Sequence, residues 1–134
     1  MRLGFIGTGK IAASVITGIC KSKMHSDEIL ISSRNKLTSQ NLKKKFKKLV
    51  ICKDNQKIVN SCNWVFLSVT PKVGEKIIKN LKFRSNQTII SFISTINLAQ
   101  LKKAIKVKAN IVRAIPLPPI SLMKGPVPIC PPNK

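Results

Sequence analysis

The stretch Gly4-Phe5-Ile6-Gly7-Thr8-Gly9-Lys10-Ile11-Ala12 decides the fold of this 134-residue chain. The apolar run from Arg2 to Ile6 predicts a buried strand, and helical spacing of apolar residues begins directly after the glycines. Gly7 permits a sharp strand-to-helix reversal, Gly9 lets the backbone approach a pyrophosphate, and Ala12 lets the helix pack closely on the strand. Between a strand and a helix, the spacing G-x-G-x-x-A therefore predicts a dinucleotide-binding turn, with the helix N-terminus facing the phosphates.

Strands and helices alternate along the rest of the chain. Five further apolar runs predict strands, at Ile29 to Ser32, Val50 to Cys52, Trp64 to Val69, Thr88 to Ile93 and Ile111 to Ile115. Segments with helical spacing lie between them. This alternation predicts an α/β fold, a doubly wound (Rossmann-type) parallel sheet with helices on both faces, as one nucleotide-binding domain over residues 1–134.

Local signals mark where the predicted helices begin and how they pack. A basic second helix is predicted from four apolar residues at helical spacing, which are Leu37, Leu42, Phe46 and Leu49. Asp54 or Asn55 is expected to cap the third helix, Pro71 suits the first turn of the fourth, and Asn97 suits the cap of the fifth. Gly18 weakens the first helix, so we expect it to serve close packing.

The chain after the sixth predicted strand is rich in proline. Proline sustains neither helix nor sheet, so Pro116-Leu117-Pro118-Pro119 predicts a break in regular structure. The tail from Gly125 to Lys134 is expected to close on nothing. The sequence therefore resembles a nucleotide domain without the domain that follows it.

The net charge of +21 comes from 25 Lys and Arg against 4 Asp and Glu. Such a balance attracts anionic partners. The lysines are spread through nearly every predicted helix, however, with the densest run at residues 43–48, which favours a solvated basic face over a nucleic-acid site. No run approaches the ~18 apolar residues of a membrane span, and no signal peptide is visible. We expect a cytoplasmic protein that does not bind a membrane, and the spread of the charge disfavours nucleic acid as a partner.

The cysteines show no metal-binding pattern. Cys20, Cys52, Cys62 and Cys130 form no C-x-x-C pair, and the single histidine, His25, has no ligand spacing to any of them. We expect reduced, mostly buried thiols and no metal site.

The end of the second predicted strand indicates which nucleotide binds. NAD-selective sites place a carboxylate there for the ribose 2′-hydroxyl, whereas this chain has Ser33-Arg34-Asn35. Asp27 and Glu28 lie at the beginning of the strand, the wrong end. A guanidinium and a hydroxyl suit a 2′-phosphate, so NADP is the predicted cofactor.

Taken together, these residues resemble the N-terminal NADP-binding domain of the pyrroline-5-carboxylate reductase family over essentially the whole chain. The motifs that carry the resemblance are Gly4 to Ala12, Ser33-Arg34-Asn35, Asn55, Ser68-Val69-Thr70-Pro71-Lys72, Ile89 to Thr95 and Arg113-Ala114-Ile115-Pro116. The resemblance implies that the cofactor-binding residues are Ile6, Gly7, Thr8, Gly9, Lys10, Ile11, Ser33, Arg34, Asn35, Asn55, Ser68, Val69, Thr70, Pro71, Ser94 and Thr95.

The family's reaction is hydride transfer from NADPH to a cyclic imine, the last step of proline biosynthesis. The resemblance also implies a homo-oligomer, formed through a helical C-terminal dimerisation domain that is absent from this chain. Because that domain completes the active site, the chain alone is expected to be inactive. No tyrosine, paired carboxylates or Ser/His/Asp arrangement offers a proton-transfer group. We therefore assign no catalytic residue.

Three positions depart from the family pattern. Thr70 stands in place of a lysine, Thr95 in place of a glycine, and Leu117 in place of an asparagine. An apolar side chain cannot supply the hydrogen bonds of an amide, so the substrate could differ. Two alternatives stay open: a reductase related to hydroxy-acid dehydrogenases, and a nucleotide-binding or nucleic-acid-binding module without turnover.

Overall fold

The structure, a computed structural model, describes residues 1–24 and 27–130. Two of the expectations above concern residues outside these ranges. They are the expectation for His25 and the part of the tail expectation that covers Pro131 to Lys134. The strands are β1 (Leu3–Ile6), β2 (Ile29–Ser32), β3 (Leu49–Cys52), β4 (Trp64–Leu67), β5 (Thr88–Ser91), β6 (Asn110–Ala114) and β7 (Ile129–Cys130). The helices are α1 (Lys10–Lys21), α2 (Lys36–Lys45), α3 (Asn55–Ser61), α4 (Pro71–Asn80), α5 (Leu98–Ile105) and a 3₁₀ helix (Pro118–Leu122).

The strands form one sheet in the order β3-β2-β1-β4-β5-β6-β7. The first six strands are parallel, and the chain moves outward from β1 in one direction and then from β4 in the other. This is the predicted doubly wound α/β fold, which is confirmed. The reversal of strand order between β1 and β4 creates a crevice at their carboxyl ends, where ligands bind in such sheets.

Helices cover both faces of the sheet, so apolar side chains point alternately into two cores. On the face of α1 and α2, Phe5 of β1 stacks on Phe66 of β4 with ring centroids 4.3 Å apart. On the opposite face, α3, α4 and α5 pack over residues such as Ile6, Val65 and Ile89. The central strands are therefore buried on both sides, which fixes the positions of the loops at their carboxyl ends.

The predicted starts of three helices, α3, α4 and α5, are confirmed. The side chain of Asp54 accepts a hydrogen bond from the Gln56 N–H at 2.8 Å and caps α3. Asn97 and Gln100 form a reciprocal capping box at the start of α5. Pro71 is the first residue of α4, as predicted.

The predicted extent of the second helix is wrong. The observed helix, α2, ends at Lys45, and Phe46 is its C-cap. Leu49 is the fully buried first residue of β3. Leu49 pairs in register with Ile29 of β2. The hydrogen bonds of the parallel ladder therefore take precedence over a helical spacing that continues by coincidence through Leu42, Phe46 and Leu49.

The C-terminal segment differs from the sequence-based expectation in two ways. The proline-rich stretch contains the 3₁₀ helix, because Pro118 and Pro119 occupy its first positions, where no backbone donor is lost. The tail does close on the sheet: Ile129 of β7 pairs antiparallel with Ala114 of β6. The expectation of a tail that closes on nothing is therefore wrong, and β7 adds one antiparallel strand to the predicted parallel sheet.

Gly18 serves close packing, as predicted. A Cβ at this position of α1 would clash with the backbone carbonyl oxygen of Ile120 in the 3₁₀ helix. The glycine thereby lets the 3₁₀ helix lie directly against α1. Among the helices that the structure describes, none is both long and apolar enough to cross a bilayer.

Candidate functional site

The crevice between β1 and β4 carries the turn that the sequence singles out. The β1–β4 ladder continues past β4, since the N–H of Ser68 donates to the Ile6 carbonyl at 2.9 Å. Gly7 has φ +99°, in the region that favours glycine, and a Cβ there would clash with the Ser68 carbonyl oxygen. Gly7 therefore brings the turn after β1 against the loop after β4, which no other residue could do without strain.

Gly9 has a different role from Gly7. It is the N-cap of α1 with φ −70°, an ordinary backbone conformation, and a Cβ built on it would meet nothing within 4 Å. A side chain at Gly9 would therefore fit the protein but would occupy the space in front of the turn. The absence of a side chain keeps that space open to a ligand.

Helices α1 and α4 start at this crevice without side-chain caps. Neither Gly9 nor Thr70, their N-cap residues, makes a side-chain cap hydrogen bond. The first N–H groups of a helix lack partners within the helix, and the positive end of its dipole lies there. Both helix starts consequently offer backbone donors to an anion in the crevice.

Thr8 is the most informative residue of the turn. Thr8 is 2% exposed, and its hydroxyl oxygen has no hydrogen-bond partner among the described residues. A buried hydroxyl without a partner costs free energy, about 1–3 kcal/mol. The flanking glycines line the crevice, so a ligand bound there can supply the missing partner.

The central cavity, of about 570 Å³, lies over this turn. Its walls come from the loops after β1, β2 and β4 and from the first turn of α4. The residues that line it are Gly7, Thr8, Gly9, Arg34, Asn35, Lys36, Ser68, Val69, Thr70 and Val73. Three strand ends thus converge on one space, as the sequence predicts for a dinucleotide.

A second space, the proline-side cavity, of about 350 Å³, adjoins the central cavity and shares Gly9, Ser68, Val69 and Thr70 with it. Its other residues are Lys10, Ile11, Phe92, Ile115 and Pro116. The two cavities form one groove, which runs from Arg34 across the glycine turn to Pro116. The far end is more apolar, because Phe92, Ile115 and Pro116 replace the polar groups near Arg34.

A third space, the outer cavity, of about 700 Å³, lies on the other side of the loop after β2. It is lined by Ser33, Lys36, Ser39, Gln40, Ile51 and Lys53. No carboxylate is among the described residues that line the three cavities. The whole groove is therefore suited to an anionic ligand.

Most of the residues implied by the resemblance lie together in these cavities, and five do not line them. Ile6 is fully buried beneath the turn, while Pro71 begins α4 and Asn55 begins α3. Ser94 and Thr95 are exposed on the loop before α5. The Ser94 carbonyl accepts a 2.6 Å hydrogen bond from the guanidinium of Arg113, which ties that loop to the end of β6.

The cofactor residues that the resemblance implies leave out five residues that line the groove: Lys36, Val73, Phe92, Ile115 and Pro116. Phe92, Ile115 and Pro116 lie inside motifs that the resemblance quotes, so those motifs were the available signal for them. Lys36 and Val73 lie in helices and have no such signal. Among residues 1–24 and 27–130, no group of three or more His, Cys, Asp or Glu could hold a metal ion.

Comparison with known proteins agrees with this geometry. The model of the family described as NADP oxidoreductase coenzyme F420-dependent matches residues 2–97. The chain belongs to this family. The match covers all of the glycine turn, the loop after β2 and the loop after β4, which supply most of the groove.

Curated relatives carry the name that the sequence motifs suggest. Pyrroline-5-carboxylate reductase 3 of Danio rerio is 27% identical over 130 residues, which cover 93% of this chain and 44% of the relative. The pyrroline-5-carboxylate reductase of Synechocystis is 25% identical over 126 residues, 93% of this chain and 47% of the relative. The chain spans about half the length of these relatives. The resemblance inferred from the sequence is confirmed.

Solved structures show the same fold. The pyrroline-5-carboxylate reductase of Streptococcus pyogenes superposes with a TM-score of 0.81 at 24% identity, over 97% of this chain and 48% of that one. The Plasmodium falciparum enzyme, solved with NADP bound, gives a TM-score of 0.84 at 22% identity, over 100% of this chain and 48% of that one. This member of the NADP oxidoreductase family therefore has the fold of about half of each of these solved chains.

Proposed function

We propose that this chain is the NADP-binding domain of an imine reductase similar to pyrroline-5-carboxylate reductase. In this reading residues 1–134 bind NADPH, and a helical dimerisation domain like that of the family completes the active site. The substrate is a small cyclic imine that carries a carboxylate. Family membership and the names of the relatives support the reaction class, and the groove supports the cofactor.

The observation that carries the proposal is the buried hydroxyl of Thr8, which has no hydrogen-bond partner among the described residues and lies in the middle of an open, basic groove. The diphosphate of a dinucleotide would accept a hydrogen bond from this hydroxyl. The uncapped N-terminus of α1 would donate backbone N–H groups to the same phosphates. The residues present thus fit the cofactor that the family implies.

NADP, rather than NAD, is the proposed nucleotide. Arg34 and Lys36 line the groove at the end of β2, where NAD-selective sites have a carboxylate. Both side chains are exposed, and neither makes an ion pair with any described residue. Their positive charges are therefore available to a 2′-phosphate. Ser33 and Asn35 flank Arg34 and complete the proposed loop. Asn55, the first residue of α3, is proposed to contact the adenosine half.

The nicotinamide is proposed to lie at the proline-side cavity. Bound NADPH supplies the hydride, so the protein's contribution is to orient and shield the reacting carbon. Phe92 and Pro116 line that end with apolar groups, which would shield a bound nicotinamide from water, and Ser68, Val69 and Thr70 line the middle of the groove. Ser94, whose carbonyl is held by Arg113, and Thr95 belong to the loop proposed to border the nicotinamide.

A substitution at Thr8 tests this proposal. Thr8→Val keeps the shape of the side chain and removes the unpartnered hydroxyl. We expect the free energy of unfolding to stay the same or rise by about 1 kcal/mol, while NADPH affinity falls by roughly tenfold. Chemical denaturation and titration calorimetry measure the two quantities. Unchanged affinity in a folded Thr8→Val protein would contradict the assignment of this turn to the diphosphate.

Turnover tests the other half of the proposal. The isolated chain is expected to bind NADPH but to reduce pyrroline-5-carboxylate negligibly, because no described group is assigned to the substrate carboxylate. Without that anchor, effective molarities worth roughly 7–11 kcal/mol are largely forfeited. NADPH oxidation is measured with the chain alone and with a helical dimerisation domain fused to it. Rapid turnover by the isolated chain would refute the reading. Failure of the fused enzyme with NADPH bound would indicate a different substrate and direct attention to Leu117.

We also propose a cytoplasmic location. The four cysteines are all free, which suits a reducing compartment.

A further inference from the structure

A fourth space, the interhelical cavity, lies between α4 and α5 and has a volume of about 510 Å³. It shares no lining residue with the central, proline-side and outer cavities. The residues that line it are Glu75, Ile78, Lys79, Ile96, Gln100, Lys103, Ala104 and Lys106. The proposed function therefore leaves this cavity without a role.

The floor of the interhelical cavity is apolar and fixed in place. Ile78 of α4 is 1% exposed, and Ile96, in the loop before α5, is 6% exposed. Both belong to the core on this face of the sheet, and Ala104 of α5 packs against the same core. Because the floor consists of core residues, it is formed before any ligand binds, as is usual for small-molecule sites.

The rim of the cavity carries charges of both signs, and these are separated along the helices. Lys79 lies four residues after Glu75 on α4, Lys103 lies three residues after Gln100 on α5, and Lys106 is the C-cap of α5. Both helices connect parallel strands and run in the same direction, so the three lysines lie towards one end of the cavity. None of the four charged residues makes an ion pair with any described residue.

The lysine end of the cavity keeps a positive charge. The carbonyl end of each helix carries about half a negative elementary charge, which favours lysines there. Together with Glu75, the two helix ends offset about two of the three positive charges. Lys106 in addition has φ +61°, a left-handed conformation that glycine adopts without strain at helix ends. An anion bound among the three lysines would balance the charge that remains.

The size of the cavity favours a small ligand over a protein. The helices α4 and α5 have ten and eight residues, so they are about 15 and 12 Å long. A stable protein interface uses about 20–30 residues a side, more than these two helices offer. A second copy of the chain would also bring a net charge of +21 to a rim that is already positive. The volume of about 510 Å³, by contrast, is typical of small-molecule sites.

We infer that the interhelical cavity is a second ligand site, which binds a small organic anion with an apolar body. The apolar body lies over the floor, and a carboxylate, sulfonate or phosphate group is held by Lys79, Lys103 and Lys106. Both parts are needed, because an exposed ion pair contributes little by itself. The site goes beyond the proposed function and does not depend on it, since the two share no residue.

The test titrates the fluorescent anion 8-anilinonaphthalene-1-sulfonate into the chain at moderate salt. Lys79→Gln combined with Lys103→Gln should weaken its binding by roughly tenfold or more. The control combines Lys76→Gln with Lys102→Gln, because these lysines are exposed on the same helices and line none of the four cavities. The control should weaken binding by less than twofold. Both double variants lose two charges, so any binding of the probe elsewhere on this basic protein changes equally in the two.

Two further measurements test the apolar floor and the need for a charge. Ala104→Phe fills the cavity and should weaken the sulfonate by roughly tenfold, whereas Ala99→Phe, exposed on α5 and outside the cavity, should have less than a twofold effect. The uncharged relative N-phenyl-1-naphthylamine should bind the unaltered chain roughly tenfold more weakly than the sulfonate. Thermal unfolding checks that each variant is folded, and the lysine variants decide the matter if Ala104→Phe is not.

The contrary outcomes are distinct from those that bear on the proposed function. Equal weakening by the two double variants, or equal binding of the charged and uncharged probes, would overturn the inference. Unchanged binding by a folded Ala104→Phe protein would do so as well. NADPH affinity should be the same in the two double variants. A loss confined to the variant with Lys79→Gln and Lys103→Gln would assign the cavity to the dinucleotide site and also overturn the inference.

Discussion

The backbone N–H of Gly7 donates a 2.8 Å hydrogen bond to the side-chain oxygen of Ser32, and both groups are buried. Gly7 begins the turn after β1, and Ser32 ends β2, immediately before Ser33 and Arg34. This hydrogen bond therefore links the proposed diphosphate site directly to the proposed 2′-phosphate loop. The turn after β1 and the loop after β2 are therefore held in a fixed relative position before any nucleotide binds.

Removal of this bond should affect both stability and binding. We expect Ser32→Ala to lower the free energy of unfolding by about 1–3 kcal/mol, because it leaves the buried Gly7 N–H without a partner. NADPH affinity should also fall, since the turn loses its connection to β2. Denaturant titration and calorimetry measure these effects. Ser85→Ala, on an exposed turn, is the control and should change neither. A Ser32→Ala protein as stable as the control would contradict this account.

The two glycines of the turn should respond differently to substitution. Gly9→Val should leave the fold intact, because its φ is ordinary and its Cβ meets no protein atom, yet weaken NADPH binding by about 1–3 kcal/mol. Gly7→Ala should destabilise the fold itself, because φ +99° and the Ser68 carbonyl both oppose a Cβ. Thermal unfolding and calorimetry separate the two effects. If Gly9→Val bound NADPH as tightly as the unaltered chain, the assignment of the pyrophosphate to this turn would be wrong.

Substitution of Arg34 should exchange the cofactor preference. Arg34→Asp replaces an attractive charge with a repulsive one beside the proposed 2′-phosphate, and its carboxylate can accept a hydrogen bond from the ribose 2′-hydroxyl of NAD. We expect NADPH to bind more tightly than NADH to the unaltered chain, and the order to reverse in the variant. Competition titrations at moderate salt measure this. Equal affinity of the unaltered chain for both nucleotides would show that strand-end chemistry does not select here.

A buried thiol should make stability depend on alkaline pH. Burial raises the pKa of the Cys62 thiol to about 11, from an ordinary value of 9.0. The unfolded chain releases this proton above pH 9, while the folded chain keeps it until about pH 11, so the free energy of unfolding should fall as pH rises between these values. Cys62→Ala should show a shallower decline, although its stability at pH 8 is lower.

The control for this measurement is Cys130→Ala, which alters an exposed thiol and should retain the full decline. Denaturant titrations from pH 8 to 11 provide the comparison. A decline in Cys62→Ala as steep as that of the unaltered chain would contradict the assignment to Cys62.

The parts of the fold that could be predicted depend on residues close together in sequence. Asp54, Pro71 and Asn97 mark helix starts by chemistry within one turn of the chain. The extent of α2 could not be predicted, because Leu49 satisfies both a helical spacing and a strand, and only its pairing with Ile29 decides between them. Strand β7 has two residues, and its pairing depends on the open edge of β6.

The candidate site was predictable to a similar extent. The glycine turn and Arg34 are recognisable because phosphate chemistry demands particular residue types at particular spacings. Lys36 is not, because it lines two cavities only through the way in which the fold brings separate strand ends together. The bond between Gly7 and Ser32 is equally invisible in sequence, since a serine at a strand end has many partners available.

Because Gly18 lets the Ile120 carbonyl lie close to α1, this helix also positions the 3₁₀ helix. The N-terminus of this helix faces the groove, and its middle supports the segment that follows Pro116, a residue of the groove wall. Any bulk added at Gly18 must push that segment outward. The width of the proline-side end of the groove therefore depends on a residue that lines none of the three cavities. Under the proposed function, a single methyl group at Gly18 would change which substrates fit, although no residue of the groove is altered.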